Sequence, residues 1–361
     1  MSRDIARRRL RNLRLTGAPL PGVPDVVHRL GAVQSQDYGP AKWSVGERTS
    51  GVGDADLDRA FNDGVLLRTH LLRPTWHFVL PADIGWLLDL TAPRVRAQCA
   101  YQYRQLGLDL DVRERATRLI ADVLQGGNHL TRRELAGPLE REGLRTEDFR
   151  LGHLMLHAEL EGVICSGPLR GRQHTYALLA ERAPDTRRLG ADEALAELVL
   201  RYFTGHGPAT IKDLRWWSSL PVGEINRGLE MAGDRLDREV VDGVTYWSAD
   251  SGPAPETGEP RAHLLQAYDE YIVGYRDSRD VNDLAGRRRS LPPGTLLPNG
   301  VAVFDSQVCG HWRRTVRRGS VLVEVALYEP PDDVRLAALR AAAQRQGEFL
   351  GVEARLETSV I

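Results

Sequence analysis

Cysteine is scarce in this sequence: Cys99, Cys165 and Cys309 are the only three, far apart and without a C-x-x-C spacing. That excludes a disulfide framework and indicates no zinc knuckle. Long apolar runs are missing too. Nothing approaches the roughly 20 consecutive apolar residues that span a bilayer, and the opening MSRDIARRRLRNLRL lacks the apolar stretch of a secretory signal. The expected location is the cytoplasm. Lysine is nearly absent, Lys42 and Lys212 being the only two, and the formal net charge is −1, so bulk charge does not by itself point to a polyanion partner.

What is present is an ordinary globular composition, 42% hydrophobic and 27% charged, on a chain of 361 residues. That length suits two or three packed modules. The arginines are clustered at Arg7 to Arg9, at Arg287 to Arg289, and at Arg313, Arg314, Arg317 and Arg318. Such clusters suit a phosphate-binding face, and equally an arginine bias on solvated helices.

A unit of one shape recurs three times along the chain. In the middle copy, Ala116, Leu119, Ile120, Val123 and Leu124 have helical spacing, and Gly126-Gly127 stop that helix. Thr131-Arg-Arg-Glu134 is a capping box that opens a second helix to about Glu142. A third runs from about Asp148 to Glu161, and VICSGPLRGRQHTYALL reads as a hairpin. The later copy has helices over 191–204, from Thr210-Ile-Lys-Asp213 through Trp216 and Trp217, and over 222–233, then the hairpin DREVVDGVTYWSA. The first copy has helices near 3–13, 24–31 and 54–62 before VLLRTHLLRPTWHFVLP. Three helices and a two-stranded wing make a winged helix-turn-helix, whose third helix fits a major groove.

The predicted fold class is therefore α+β, with three tandem winged helix-turn-helix units. The sections are 1–110, 111–185, 186–250 and a β-rich region with a helix over 251–361. In the last section HLLQAYDEYIVGY, VAVFDSQVCGHWRR and VLVEVALY read as strands and Arg335 to Phe349 as a helix, while RDSRDVNDLAGRRRSLPPG reads as a mobile loop.

The segment Leu30-Gly-Ala-Val-Gln34-Ser35-Gln36-Asp37 carries two glutamines at i and i+2. In an extended chain both amides project from one side, able to hold a water and to donate hydrogen bonds but not to act as a general base. Asp37 is a rival base or electrostatic support; in a strand it points away from the pair, which favours a structural role. Arg73 and His77 in the first wing suit a DNA backbone, although His77 reads equally well as a hydrogen-bonded stitch in the wing. Arg313 and Arg314, on the far strand of a hairpin turning near Asp305-Ser306, and the Arg287, Arg288, Arg289 loop are candidate phosphate contacts, and either element suits a minor groove. His153 and His157 share a helical face but lack a metalloprotease glutamate, so no metal is expected. Trp216 and Trp217 read as core.

Five ordered blocks, LGAVQSQDYGPAKWSVGERT, HLLRPTWHFV, GPATIKDLRWWSSL, LLQAYDEYIVGYRD and GHWRR, together resemble the AlkZ-like (YcaQ-related) winged-helix DNA glycosylases. The resemblance runs through nearly the whole chain. It implies β-structure joining the three winged helices into a C-shaped, DNA-embracing body, and a catalytic glutamine pair at Gln34 and Gln36. Ser35 departs from the aliphatic residue or alanine usual between them. Asp269, in a shared block, enters as a DNA-binding candidate, although Asp269 and Glu270 are adjacent in a predicted strand and would face opposite ways.

The implied activity is monofunctional hydrolysis of the N-glycosidic bond of bulky N7-alkylated purines in double-stranded DNA. It would serve repair of, or self-resistance to, a DNA-alkylating natural product, by a monomer without cofactor. Neither deep base flipping nor a lyase step is expected, Lys42 being the nearest amine to the pair. A non-catalytic winged-helix regulator or lesion-binding protein is the alternative, and it predicts DNA binding without base release; a protein-interaction module predicts no salt-dependent affinity for DNA.

Overall fold

The computed structural model describes residues 2–249, 252, 260–287 and 300–361. Packing divides the chain into two compact units, one of Met1–Leu57, Ala196–Trp217 and Val222–Ile361, the other of Asp58–Leu195 and Ser218–Pro221. Both run across the boundaries of the four sequential sections. No described helix is long and apolar enough to cross a membrane.

The helix–helix–helix–hairpin order recurs as expected. In the first copy the helices are Ser2–Asn12, Val23–Leu30 and Asp54–Asn62, and the hairpin pairs Leu67–Leu71 with Thr75–Val79. A further helix, Tyr38–Gly46, interrupts this order. It lies close to the C-terminal helix: a Cβ on Gly46 would stand 2.5 Å from the Phe349 ring, so only glycine admits that approach.

The middle copy comprises Leu110–Leu124, Arg132–Arg141 and Arg150–Leu160, with the hairpin Ile164–Arg170 and Gln173–Leu178. The capping box forms as read. Thr131 Oγ1 accepts from the Glu134 main chain, and the Glu134 carboxylate accepts the Thr131 N–H. The long helix Pro81–Gln105 packs onto this copy, sharing its core through Val95, Cys99 and Tyr103. Residues 154–160 of the third helix are all buried, whereas 150–153 at its N-terminal end are half-buried.

In the later copy the helices are Ala191–Gly205, Ile211–Ser218 and Val222–Ala232. Its third helix buries Ile225, Gly228 and Leu229 and exposes Asn226, Arg227 and Glu230, the two-faced pattern that groove entry requires. The hairpin Asp237–Val241 and Val244–Ser248 closes through Asp242-Gly243, both with positive φ, as a two-residue primed turn demands.

The C-terminal region builds a five-stranded sheet in the order Glu353–Val360, Ser320–Leu327, Gln307–Arg317, Gly300–Phe304, Ala262–Gln266. It is antiparallel except for the first pair, which is parallel and joined by the helix Asp333–Leu350, the crossover a parallel pair needs. Asp305 and Ser306, both at positive φ, make the predicted tight turn. Tyr268-Asp-Glu-Tyr271 is not a strand. Asp269 caps a short helix, Glu270–Val273.

Candidate functional site

The glutamine segment hangs between two helices. Val23–Leu30 ends at Gly31, whose φ of 76° lets the chain reverse. Val33–Gln34 is a two-residue strand, and the chain bends through Gln36 and Asp37 into Tyr38–Gly46. Gln34 is 5% exposed and Ser35 is fully buried, whereas Gln36 is half-buried and Asp37 exposed. The pair therefore does not stand equally open, as a fully extended segment would have it. Asp37 precedes the helix without capping it through its side chain.

Beneath Gln34 lies Glu270, fully buried. Its carboxylate accepts the Gln34 main-chain N–H at 3.1 Å, the His206 Nε2–H at 3.0 Å and the Trp217 indole N–H at 2.8 Å. Sequence reasoning missed this residue by placing it in a strand. Its neighbour Asp269 is also completely buried and forms a two-pronged ion pair with Arg48 at 2.8 and 2.9 Å. Burial opposes the charge on Arg48, but Asp269 outweighs it and holds the guanidinium above its ordinary pKa. Asp269 is thus a structural anchor, correcting its assignment as a DNA contact.

His77 requires the same correction. His77 is fully buried and its Nδ1 donates to the Thr75 carbonyl at 2.9 Å, which is the stitching role. His77 therefore presents no cationic head to a ligand. Arg73 sits in the tight turn after Leu72 and is 9% exposed.

The arginine clusters separate by environment. Arg7 pairs with Asp305, Arg8 with Glu239, and Arg9 is buried against Tyr275 while donating to the Pro208 and Ser278 carbonyls. That cluster ties the fold together. Arg314 is half-buried and donates to Gln346, and burial lowers its pKa. Arg313 remains exposed, bridged to its cross-strand neighbour Glu324. Beyond it, Arg317 and Arg318 are exposed at the tip of the hairpin Gln307–Arg317 and Ser320–Leu327. Arg287 is exposed and paired with Glu329 at 2.8 Å. Arg288 and Arg289, with the last part of the predicted mobile loop, lie outside the described residues. Its first part, 276–287, is not a mobile loop but is pinned to the core, with a short 3-10 turn at Arg279–Asn282, Ser278 donating to Asp213 and Asn282 to the Tyr271 carbonyl.

Trp217 is core, as read, but Trp216 is 39% exposed, with Arg276 stacked on it. Lys42 is nearly buried and pairs with Asp54 at 2.8 Å. A cavity of about 470 Å³ in the second unit, lined among others by Trp76, Arg132, Phe149 and His153, contains none of the predicted site residues.

Similarity to known proteins follows the same lines. The family described as "DNA glycosylase AlkZ-like" matches residues 27–349. An interstrand DNA cross-link repair glycosylase of Streptomyces sahachiroi is 29% identical over 312 residues, covering 81% of this chain and 82% of that protein. The solved structure of Streptomyces sahachiroi DNA glycosylase AlkZ superposes with a TM-score of 0.81 at 24% identity, covering 99% of both chains, and so shares the tandem winged-helix fold. With a family match spanning most of its length and that fold beneath it, the chain belongs to the AlkZ-like DNA glycosylases.

Proposed function

We propose that this DNA glycosylase hydrolyses the N-glycosidic bond of bulky N7-alkylated purines in double-stranded DNA, with Gln34 and Gln36 as its catalytic residues. The observation that carries the reading is the glutamine segment itself: Gln36 half-buried at a bend, and the Gln34 main chain fixed on the Glu270 carboxylate. Alkylation at N7 leaves the purine formally cationic, so the base departs without being protonated. The remaining task is to place a water below C1′ and to stabilise an oxocarbenium-like sugar. A neutral amide does this by accepting from the water through its carbonyl and donating through its nitrogen. The general-base contribution, roughly 10² to 10⁴-fold, is forgone, which spares undamaged purines because their leaving group stays poor. The exposed Asp37 carboxylate beside Gln36 adds negative charge where the sugar becomes positive.

DNA affinity in this reading comes from cations of the same compact unit: Arg313, Arg317 and Arg318 on the C-terminal sheet, and Arg227 on the exposed face of Val222–Ala232. Lys42 is held by Asp54, which supports a monofunctional enzyme without a Schiff-base step. A cross-link anchored at purine N7 presents the same labile bond, so we place cross-linked duplexes in the substrate class.

The test is incubation with a duplex carrying one N7-alkylguanine, followed by chromatography of free base and alkaline scission of the abasic strand. The native chain should release adduct, Gln34→Ala/Gln36→Ala should release almost none, and Asp37→Asn should slow release without abolishing it. Undiminished release by the double variant would remove the glutamines from the mechanism.

A further inference from the structure

The buried carboxylate under the glutamine segment ties that segment to two other stretches of chain. Glu270 is fully buried and gathers donors from three separated stretches of chain: the Gln34 main chain, His206 at the end of Ala191–Gly205, and Trp217 in Ile211–Ser218. Each partner is itself constrained. His206 is fully buried, stacked on Tyr202 at 4.7 Å with an interplanar angle of 10°, and among the described residues its Nδ1 has no hydrogen-bond partner, so the ring's polar contact there is the one to Glu270. Trp217 is fully buried, and its ring edge lies 3.6 Å from where a Cβ on Gly31 would stand. Glu270 is placed by the adjacent Asp269, which caps its helix and is locked to Arg48. The chain Arg48, Asp269, Glu270, Gln34 thus runs from the core to the first glutamine.

We infer that Glu270 is the positioning residue of the glutamine pair, holding the Gln34 main chain so that the two amides meet the sugar and its water in one geometry. This rests on the proposed role of Gln34 and Gln36. Glu270 has no access to substrate and works through the Gln34 amide; its carboxylate takes three N–H groups at once, which a carboxamide cannot do without turning its own NH₂ toward one of them. Misplacement of a reacting group by about 1 Å costs on the order of 100-fold in rate, so the signature is a loss in the chemical step at unchanged DNA affinity.

The experiment compares Glu270→Gln, Gln34→Ala and the combined variant on a duplex carrying one N7-alkylguanine. Single-turnover base release at saturating enzyme is measured beside equilibrium binding to the same duplex. Glu270→Gln is expected to slow release by roughly 10- to 100-fold with binding unchanged, and to add little in the Gln34→Ala background. A wild-type rate in a folded Glu270→Gln protein overturns the inference, as does a full additional loss in the combined variant or a loss of DNA affinity matching the loss of rate. If Glu270→Gln does not melt cooperatively, Trp217→Phe removes one of the three donors and keeps an aromatic ring. A slower release with unchanged binding supports the inference, and a wild-type rate overturns it. Full activity in Gln34→Ala would instead overturn the glutamine mechanism, which separates the two failures.

Discussion

At the scale of the residue, the same side chain means different things in water and in the core. Arg48 and Asp269 are fully buried and exchange two hydrogen bonds. Removing one partner strands the other's charge in a medium that solvates it poorly, at a cost of about 3 to 5 kcal/mol. Asp269→Ala should therefore lower unfolding stability by that amount in a denaturant titration, whereas Asp269→Asn, which can keep a neutral helix cap, should lose less. A loss of DNA affinity without a loss of stability would return Asp269 to the DNA-binding residues. Nothing local in Tyr268-Asp-Glu-Tyr271 distinguishes these roles, because the partners of Asp269 and Glu270 lie 221 and up to 236 positions away. The glutamine pair was legible as a pattern with a chemical use; how unequally its members are covered was not.

At the scale of the element, short-range rules were the legible part. The box at Thr131 and Glu134 and the Asp242-Gly243 turn are fixed by stereochemistry within a few residues. Thr131→Ala should cost about 1 kcal/mol by freeing amides of the first turn, and an unchanged melting midpoint would show that water replaces the cap. Two helices escaped the periodicity reading for a common reason. Tyr38–Gly46 is buried on nearly every side from Ala41 onward, and Pro81–Gln105 carries Pro93 inside it and packs through several faces, so neither displays one clean apolar stripe. The tip of the hairpin Gln307–Arg317 and Ser320–Leu327 behaves oppositely. Arg317 and Arg318 are solvated there, and if both neutralise phosphates, replacing them with alanine should weaken duplex binding regardless of sequence. The slope of log affinity against log salt should fall by roughly 0.9 for each phosphate no longer neutralised. A salt slope that does not change would place the DNA elsewhere.

At the scale of the whole molecule, the two compact units should respond differently to acid. In the unit of Asp58–Leu195, burial pushes His157 and His174 down to about 4 from the ordinary 6.5. The unfolded chain binds those protons first, so folded stability is complete above pH 6.5 and falls as the pH drops toward 4. In the other unit burial works to raise the Glu47 pKa, but Arg345 and His263 overcome it and hold the carboxylate low. Its contribution is present above 4.5 and lost only below that. Hydrogen exchange followed from neutral pH to pH 5 should show amides of the helices Leu110–Leu124 and Arg150–Leu160 losing protection before those of the five-stranded sheet. Simultaneous loss would show that these groups do not set the order, and His157→Gln should flatten the acid dependence of the first unit to yield.

The sequence by itself determined the repeated helix–hairpin order, the caps and tight turns, the glutamine pair and the family, because each is written within a few tens of residues as spacing, stereochemistry or an ordered set of blocks. Tertiary structure decided which arginines are exposed and which are girders, that the third helix of the middle copy is buried over 154–160 while that of the later copy keeps an open face, and that Glu270 stands beneath Gln34. Those outcomes depend on which surfaces exclude water from one another, and a charged side chain reads identically in a sequence whether its partner is a phosphate or a carbonyl two hundred residues away.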